Sequence, residues 1–438
     1  RHARRSFAAQ AASTGRPVGA PRFMRPSFFY GWLIVVTAGL CYGFGMSPVY
    51  YSWSIFAPSL IADLGVGRGD VGGVFGLFTA LFQSVGVLVG LAIVRFGLRS
   101  VMVAGFCTTT AGLLFLSTAD SALDCYIGFS ILGGIGVGFS TIVPAQTLGQ
   151  NWFLRRRALV IGVIFAFGGV VGWLVAPVDA WVLEHYQWRI GWIGIAGVSM
   201  VLALLAGALV RETPESMGQV RDGAVPPTEG GRDDAAPLAA ISDRWTAAQA
   251  VRTPQFALML VCGVAYSAPF NTAVAHLTLH LTDVGHPNAV AIGLVGTMAL
   301  ISIGGRVMGA AGDWISPQWA LAVALALEGL GAGGLLLAAD STLALVAVAL
   351  IGLGFGMAYI SVPVVFSHFF GRKAFSVTTG IRMTITGVLA GLGPWLAGLA
   401  FDATGSYTGA FVGLMLVCWA GGACAAAMRH PGSPPRPI

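Results

Sequence analysis

The chain has 438 residues, 56% of them hydrophobic and only 10% charged, with a formal net charge of +6. Soluble domains carry roughly 25% charged residues, so a fold with a fully water-facing surface is excluded and the bilayer must act as solvent.

Residues 1–28 hold six arginines, among them Arg1, Arg4 and Arg5, and no long apolar run. They read as a basic cytoplasmic tail lying against anionic lipid, and not as a signal peptide, a span or a nucleic-acid-binding arm. Apolar runs of about 20 residues then predict helices near 30–56, 70–94, 100–119, 123–149, 158–183 and 189–210. Residues 211–252 are rich in Pro, Gly, Asp and Arg and lack apolar periodicity, which predicts a cytoplasmic linker. Six more helices are predicted near 254–282, 289–311, 317–339, 342–369, 374–401 and 408–428, followed by a short cytoplasmic tail over 430–438. The expected fold is therefore an all-α membrane protein of twelve transmembrane helices in two six-helix bundles, 29–210 and 253–429.

Basic residues set the orientation. With both termini inside, the cytoplasmic segments collect Arg95, Arg99, Arg155, Arg156, Arg157, Arg372 and Lys373, leaving Arg68 and Arg189 on the other side. The net charge is thus a topology signal. The expected location is multi-pass in a bacterial inner membrane, as a monomer. The six cysteines, at 41, 107, 125, 262, 418 and 424, lie within or at the edge of spans without ligand-like spacing, so they read as packing residues, not disulfides or a metal site.

The two halves repeat each other in four registers. LIADLG ending at Gly65 matches HLTDVG ending at Gly285, and Gly90 matches Gly309. Gly134, Gly136 and Gly138 match Gly352, Gly354 and Gly356, and Phe153 matches Phe370, with offsets drifting only from 220 to 217. Ordered matches at a nearly constant offset imply a duplicated six-helix unit, and parallel repeats of this kind place a substrate site between the halves. The glycine strings fall in mid-span, without the strand and soluble fold a phosphate loop needs, so they read as close-packing positions. No nucleotide motif is present, which excludes an ATP-driven pump for this chain alone and calls for no cofactor.

Two arginines, Arg306 and Arg382, sit inside these spans. A charge at that depth costs at least ~2.5 kcal/mol on the lenient insertion scale, so it is kept facing an aqueous cavity or a counter-charge. The pair predicts something anionic inside the membrane.

Over residues 28–429 the chain resembles the major facilitator superfamily. Its loop pattern between the second and third helices is matched by Gly90, Arg95, Gly97 and Arg99, with Val94 in place of the usual acid; the second copy keeps Gly309 and Asp313 and has Trp314 where an arginine stands in the family. The resemblance implies a latch between the halves at Gly90, Arg95, Arg99, Gly309 and Asp313, with the first-half latch weakened by Val94. Tyr30-Gly31-Trp32, the segment NWFLRRRALVIGVIFAFGGVVG and the closing FDATGSYTGAF resemble the monocarboxylate porter and oxalate/formate antiporter branch.

In that branch a basic residue on the eighth helix grips the substrate carboxylate, and Arg306 matches it; a guanidinium fork fits a carboxylate bidentately. The alternative is that Arg306 only braces its helix end towards Asp313. Ser302 lies one turn before Arg306 on the same face, where some relatives carry an acid or amide. Arg382 lies about one turn from the lysine of oxalate-type members, and Phe355 and Tyr359 repeat the family's aromatic pair on the tenth helix. Asn271 and Tyr266 share the seventh helix near Pro269 as cavity-lining candidates. The candidate proton carriers are His276, Glu328 and Asp179, with His276 favoured because histidine titrates near neutral pH. The resulting expectation is a non-enzymatic secondary transporter of a small organic anion, a monocarboxylate, by alternating access with proton symport. Anion exchange, efflux of an amphipathic compound, and a non-transporting receptor or assembly factor on the same fold remain open alternatives.

Overall fold

The computed structural model describes residues 29–221, 245–310 and 316–431. The N-terminal tail, most of the expected linker, the last residues of the C-terminal tail and Asp313 lie outside the described residues.

Among the described residues eleven helices are long and apolar enough to cross a membrane, and a bent pair counted as one span brings the number to twelve. In chain order they are α1 (Gly31–Leu64), α2 (Arg68–Ser84 and Gly86–Phe96, meeting at 47°), α3 (Leu98–Ser117), α4 (Ala122–Trp152), α5 (Arg157–His185) and α6 (Trp188–Leu209). The second set comprises α7 (Pro254–Asp283), α8 (Asn288–Ala310), α9 (Pro317–Leu337), α10 (Ser341–Phe370) and α11 (Val377–Thr404), and α12 (Thr408–Ala427).

The first helix runs eight residues past its expected end. Its 34 residues reach about 50 Å, longer than a hydrocarbon core of about 30 Å. It ends where Gly65 adopts φ +63° and caps the Ile61 carbonyl, a left-handed conformation that glycine takes without a side-chain clash. The matching glycine after α7, Gly285, has φ +102°, so the repeated LIADLG and HLTDVG segments end their helices by the same device. Within α7, Pro269 lacks the N–H that would bond the Ala265 carbonyl. The Cys418 thiol on α12 donates to that carbonyl instead, at 3.3 Å.

The glycine strings pack helices, and they do so twice in the same way. Gly134 and Gly138 on α4 lie against Phe78 and Phe82 of α2, while a Cβ at Gly136 would fall 2.8 Å from the Gly105 carbonyl of α3. In the second half Gly352 and Gly356 lie against Met298 and Ser302 of α8, while a Cβ at Gly354 would fall 2.6 Å from the Ala324 carbonyl of α9. Helix 4 thus meets helices 2, 3 and 2 as helix 10 meets 8, 9 and 8, the contact pattern a duplicated unit requires.

Contacts between the two sets form a seam. Gly76 of α2 backs onto Gly391 of α11, Gly172 of α5 meets Ala299 of α8, and Ser54 of α1 shares a 3.1 Å hydrogen bond with Thr278 of α7. Leucine, valine and tryptophan side chains such as Leu91, Leu204 and Trp419 are exposed on the outside, as a lipid-facing surface allows.

Candidate functional site

A cavity of about 40 Å³ opens at this seam. That is room for a few water-sized spheres or one small solute. From α1 come Tyr42, Met46, Ser47, Tyr50 and Tyr51, spaced i, i+4, i+5, i+8 and i+9 and so lying on one helical face. Facing them are Arg306 of α8, Phe355 and Tyr359 of α10, Phe270 of α7 and Gly168 of α5.

Arg306 reaches across the seam, and its Nη1 donates to the Phe165 carbonyl of α5 at 2.7 Å. Its guanidinium lies 5.1 Å from the centroid of the Tyr359 ring, a cation–π contact. Tyr42 lines the cavity beside Arg306 and Tyr359. Arg306 Nε is buried without a partner, and among the described residues no carboxylate pairs with this cation. Phe270 stacks on Phe355 at 3.6 Å and 9°, with Tyr266 packed behind at 5.9 Å from Phe355. Across the cavity the Tyr50 hydroxyl donates to Asn271 Oδ1, and Asn271 Nδ2 is left without an acceptor. The wall is therefore aromatic, rich in hydroxyls and positively charged, with unspent donors on Arg306 and Asn271.

Of the sequence candidates, Arg306, Tyr359 and Phe355 come together here, with Tyr266 and Asn271 one layer behind. Ser302 is fully buried and turns back to donate to the Ala299 carbonyl at 2.6 Å. Arg382 does not line the cavity. It is buried within α11 beside Gly263 of α7, and its Nε and Nη1 have no partner. The α1 stripe was not singled out in the sequence, although Tyr42, Met46 and Tyr50 at every fourth residue were a legible signal.

The three proton candidates sit in different surroundings. His276 Nε2 faces the Pro394 carbonyl at 2.8 Å and Nδ1 faces the Tyr407 hydroxyl at 3.1 Å. Since a carbonyl can only accept, Nε2 donates to it, and the Tyr407 hydroxyl occupies Nδ1, so both ring nitrogens are hydrogen-bonded. Glu328 is fully buried on α9, with neither oxygen hydrogen-bonded. Asp179, on α5, is 4% exposed, and its Oδ2 has no partner.

The two ends of the bundle differ. At the loop after α2, Val94 is 88% exposed where the family has its acid, and Arg95 and Arg99 make no ion pair among the described residues. Gly90 has open space around it, and Gly309 packs against the Met357 carbonyl. At the opposite end, Arg68 of α2 makes a two-pronged ion pair with Asp283 of α7, its Nη2 donating to Oδ1 at 2.7 Å. The Arg68 guanidinium also lies 3.7 Å from the Phe401 ring centroid. Asp402 accepts from the Arg68 and Gly69 amides at 3.0 and 2.7 Å, where the N-terminus of α2 favours an anion. This clasp joins helices of both sets and closes the bundle at that end. Asp63, the repeat partner of Asp283, instead accepts from Trp188 and Arg189 of its own set at 2.8 and 2.9 Å.

Two repeated sets of membrane helices around a small cavity at their seam have the architecture of a secondary transporter. The chain belongs to the Major Facilitator Superfamily, whose family model matches residues 34–394. Its relatives include Monocarboxylate transporter 13 of Bos taurus, 28% identical over 400 residues and covering 88% of this chain and 86% of the relative. Monocarboxylate transporter 11 of Homo sapiens is 27% identical over 425 residues, covering 92% and 83%. Among solved structures, that of the nucleoside transporter NupG superimposes with a TM-score of 0.70 at 11% identity over 91% of this chain and 99% of that one, a likeness of fold.

Proposed function

We propose that this protein carries a small monocarboxylate across the membrane in symport with a proton, with the linker and both termini on the cytoplasmic side. The observation that carries the reading is Arg306: a cation in the cavity wall with an unpartnered Nε and no carboxylate among the described residues to neutralise it. An anionic substrate supplies the missing charge, and the guanidinium fork matches a carboxylate. Tyr42 and Tyr359 orient that fork, while Phe270 and Phe355 give the acid's short carbon body an apolar wall. The small cavity and the monocarboxylate-transporter relatives support the same substrate class. On this reading the clasp of Arg68 and Asp283 holds the two sets together at the end facing away from the cytoplasm.

The test is ligand affinity of purified, monodisperse protein against a panel of mono-, di- and tricarboxylates, read by thermal shift, because a ligand that binds the folded state raises its stability. Arg306→Ala leaves the bound carboxylate without its counter-charge and should cost on the order of 2 to 5 kcal/mol, a factor of ten to several thousand in Kd. Arg306→Lys should recover part of this, keeping the charge and losing the fork. Wild-type affinity in the alanine variant sinks the proposal; loss of folding with intact affinity per folded molecule makes Arg306 a brace.

A further inference from the structure

We propose that Asp179 is the group that takes up and releases the coupled proton, an inference that rests on the transport reading above. Ser302, one turn back from Arg306, does not titrate in the working range and cannot carry a coupled proton.

Asp179 lies seven residues beyond Gly172 and therefore on the same face of α5. Gly172 sits where three helices meet, against the Tyr51 ring of α1 and Ala299 of α8. One turn before Asp179, Ala176 packs on Gly296 of α8. The carboxyl thus extends the seam from the cavity towards the clasped end. Beside it is Ser52 of α1, the neighbour of cavity-lining Tyr51, and the Ser52 hydroxyl is likewise without an ordinary hydrogen bond.

Among the described residues no cation pairs with this carboxyl. The charged groups on the helices packed around it are Asp63 of α1 and Arg189 of α6, which pair with each other, and Arg306 of α8, bonded to Phe165 fourteen residues back along α5. On α5 itself, Glu184 and His185 are exposed, and His185 Nδ1 is bonded to the Trp181 carbonyl. A buried carboxylate without a counter-charge is strongly disfavoured, so with the end sealed Asp179 must hold a proton. When the halves part along the α5–α8 seam, water reaches it and the ionised form becomes stable. Sealing and protonation are therefore one event.

The other two candidates lack this linkage. Glu328 packs against Gly354 of α10 and the Phe270 backbone of α7, both of its own half, and its link to the other half is an electrostatic one to Tyr50 of α1, so parting of the α5–α8 seam does not itself uncover it. His276 already has both ring nitrogens bonded.

The experiment uses the full chain in proteoliposomes with labelled L-lactate as probe. An inward gradient of one pH unit supports at most about tenfold accumulation in a one-proton symporter. Asp179→Asn should abolish that accumulation and keep lactate–lactate exchange, while Glu328→Gln should keep both. Gradient-driven accumulation in Asp179→Asn overturns the inference. A second arm needs no substrate: an infrared pH titration of the purified protein should show a carboxylic-acid carbonyl band that vanishes on raising pH in wild type and in Glu328→Gln, and Asp179→Asn should lack this pH-dependent band while keeping the pH-insensitive band of the fully buried Glu328. Persistence of the pH-dependent band in Asp179→Asn also overturns the inference. Wild-type protein that moves no member of a monocarboxylate panel would refute the transport reading, and the infrared arm would still decide the fate of Asp179.

Discussion

The clasp between Arg68 and Asp283 sets the balance between sealed and open ends, and Asp283→Asn tests this with the least change of shape. The substitution removes the charge that binds both guanidinium nitrogens while Arg68 keeps its contact with Phe401. Two charge-assisted hydrogen bonds in a dry site would contribute a few kcal/mol. The side chains are 17% and 34% exposed, so solvent screening reduces this to about 1 to 2 kcal/mol. That shifts the equilibrium towards opening at this end by a factor of about 5 to 30. Spin labels on cysteines at Leu123 and Ala339, exposed at this end on either side of the seam, would report the separation by pulsed electron resonance. The wild type should show one dominant short distance, and the variant a substantial longer component. Asp63→Asn, which breaks the ion pair with Arg189 within one half, serves as control and should leave the distribution unchanged. An unaltered distribution in Asp283→Asn, or the same change in both variants, refutes the clasp.

Three further outcomes are expected. A cysteine replacing Gly230 in the linker, with native cysteines removed, should resist an impermeant thiol reagent in intact cells; labelling would invert the proposed topology. Gly354→Ala puts a methyl 2.6 Å from the Ala324 carbonyl and 2.7 Å from the Glu328 amide, and should lower unfolding stability by about 1 to 3 kcal/mol in detergent. An unchanged Tm there would show that α10 can shift away from α9. His276→Gln should cost stability of about 1 to 3 kcal/mol, by leaving the Pro394 carbonyl or the Tyr407 hydroxyl unpaired. It should preserve pH-driven accumulation, and loss of accumulation in the well-folded variant would return the proton to His276.

Much of the architecture was legible because the bilayer imposes long apolar runs and makes a charge such as Arg306 stand out against them. The duplication could be read from glycines whose spacing the packing of α4 and α10 dictates. What stayed hidden depends on contacts distant in sequence. Arg68 and Asp283 are 215 residues apart, and neither sits in a periodic pattern that points to the other. The α1 tyrosines were obscured for a different reason: an aromatic stripe has the same spacing whether it faces a core or a cavity. The depth of Arg382 was equally beyond reach, since helical spacing gives its face and not its place among neighbouring helices. His276 could be singled out by residue type alone, while its hydrogen bonds to the Pro394 carbonyl of α11 and to Tyr407 join positions too far apart in sequence to be read there.

The unequal fates of Asp63 and Asp283 say something about how such a machine can arise. Both close the same repeated segment, and a single ancestral aspartate would have had one task in each of two identical copies. In the present chain one copy is a strut, tying α1 to α6 inside its own half, and the other is a bolt, thrown across to α2 of the opposite half. The same repeated position thus braces one half internally and fastens the two halves to each other, so the halves, alike in fold, are unlike in how they are held.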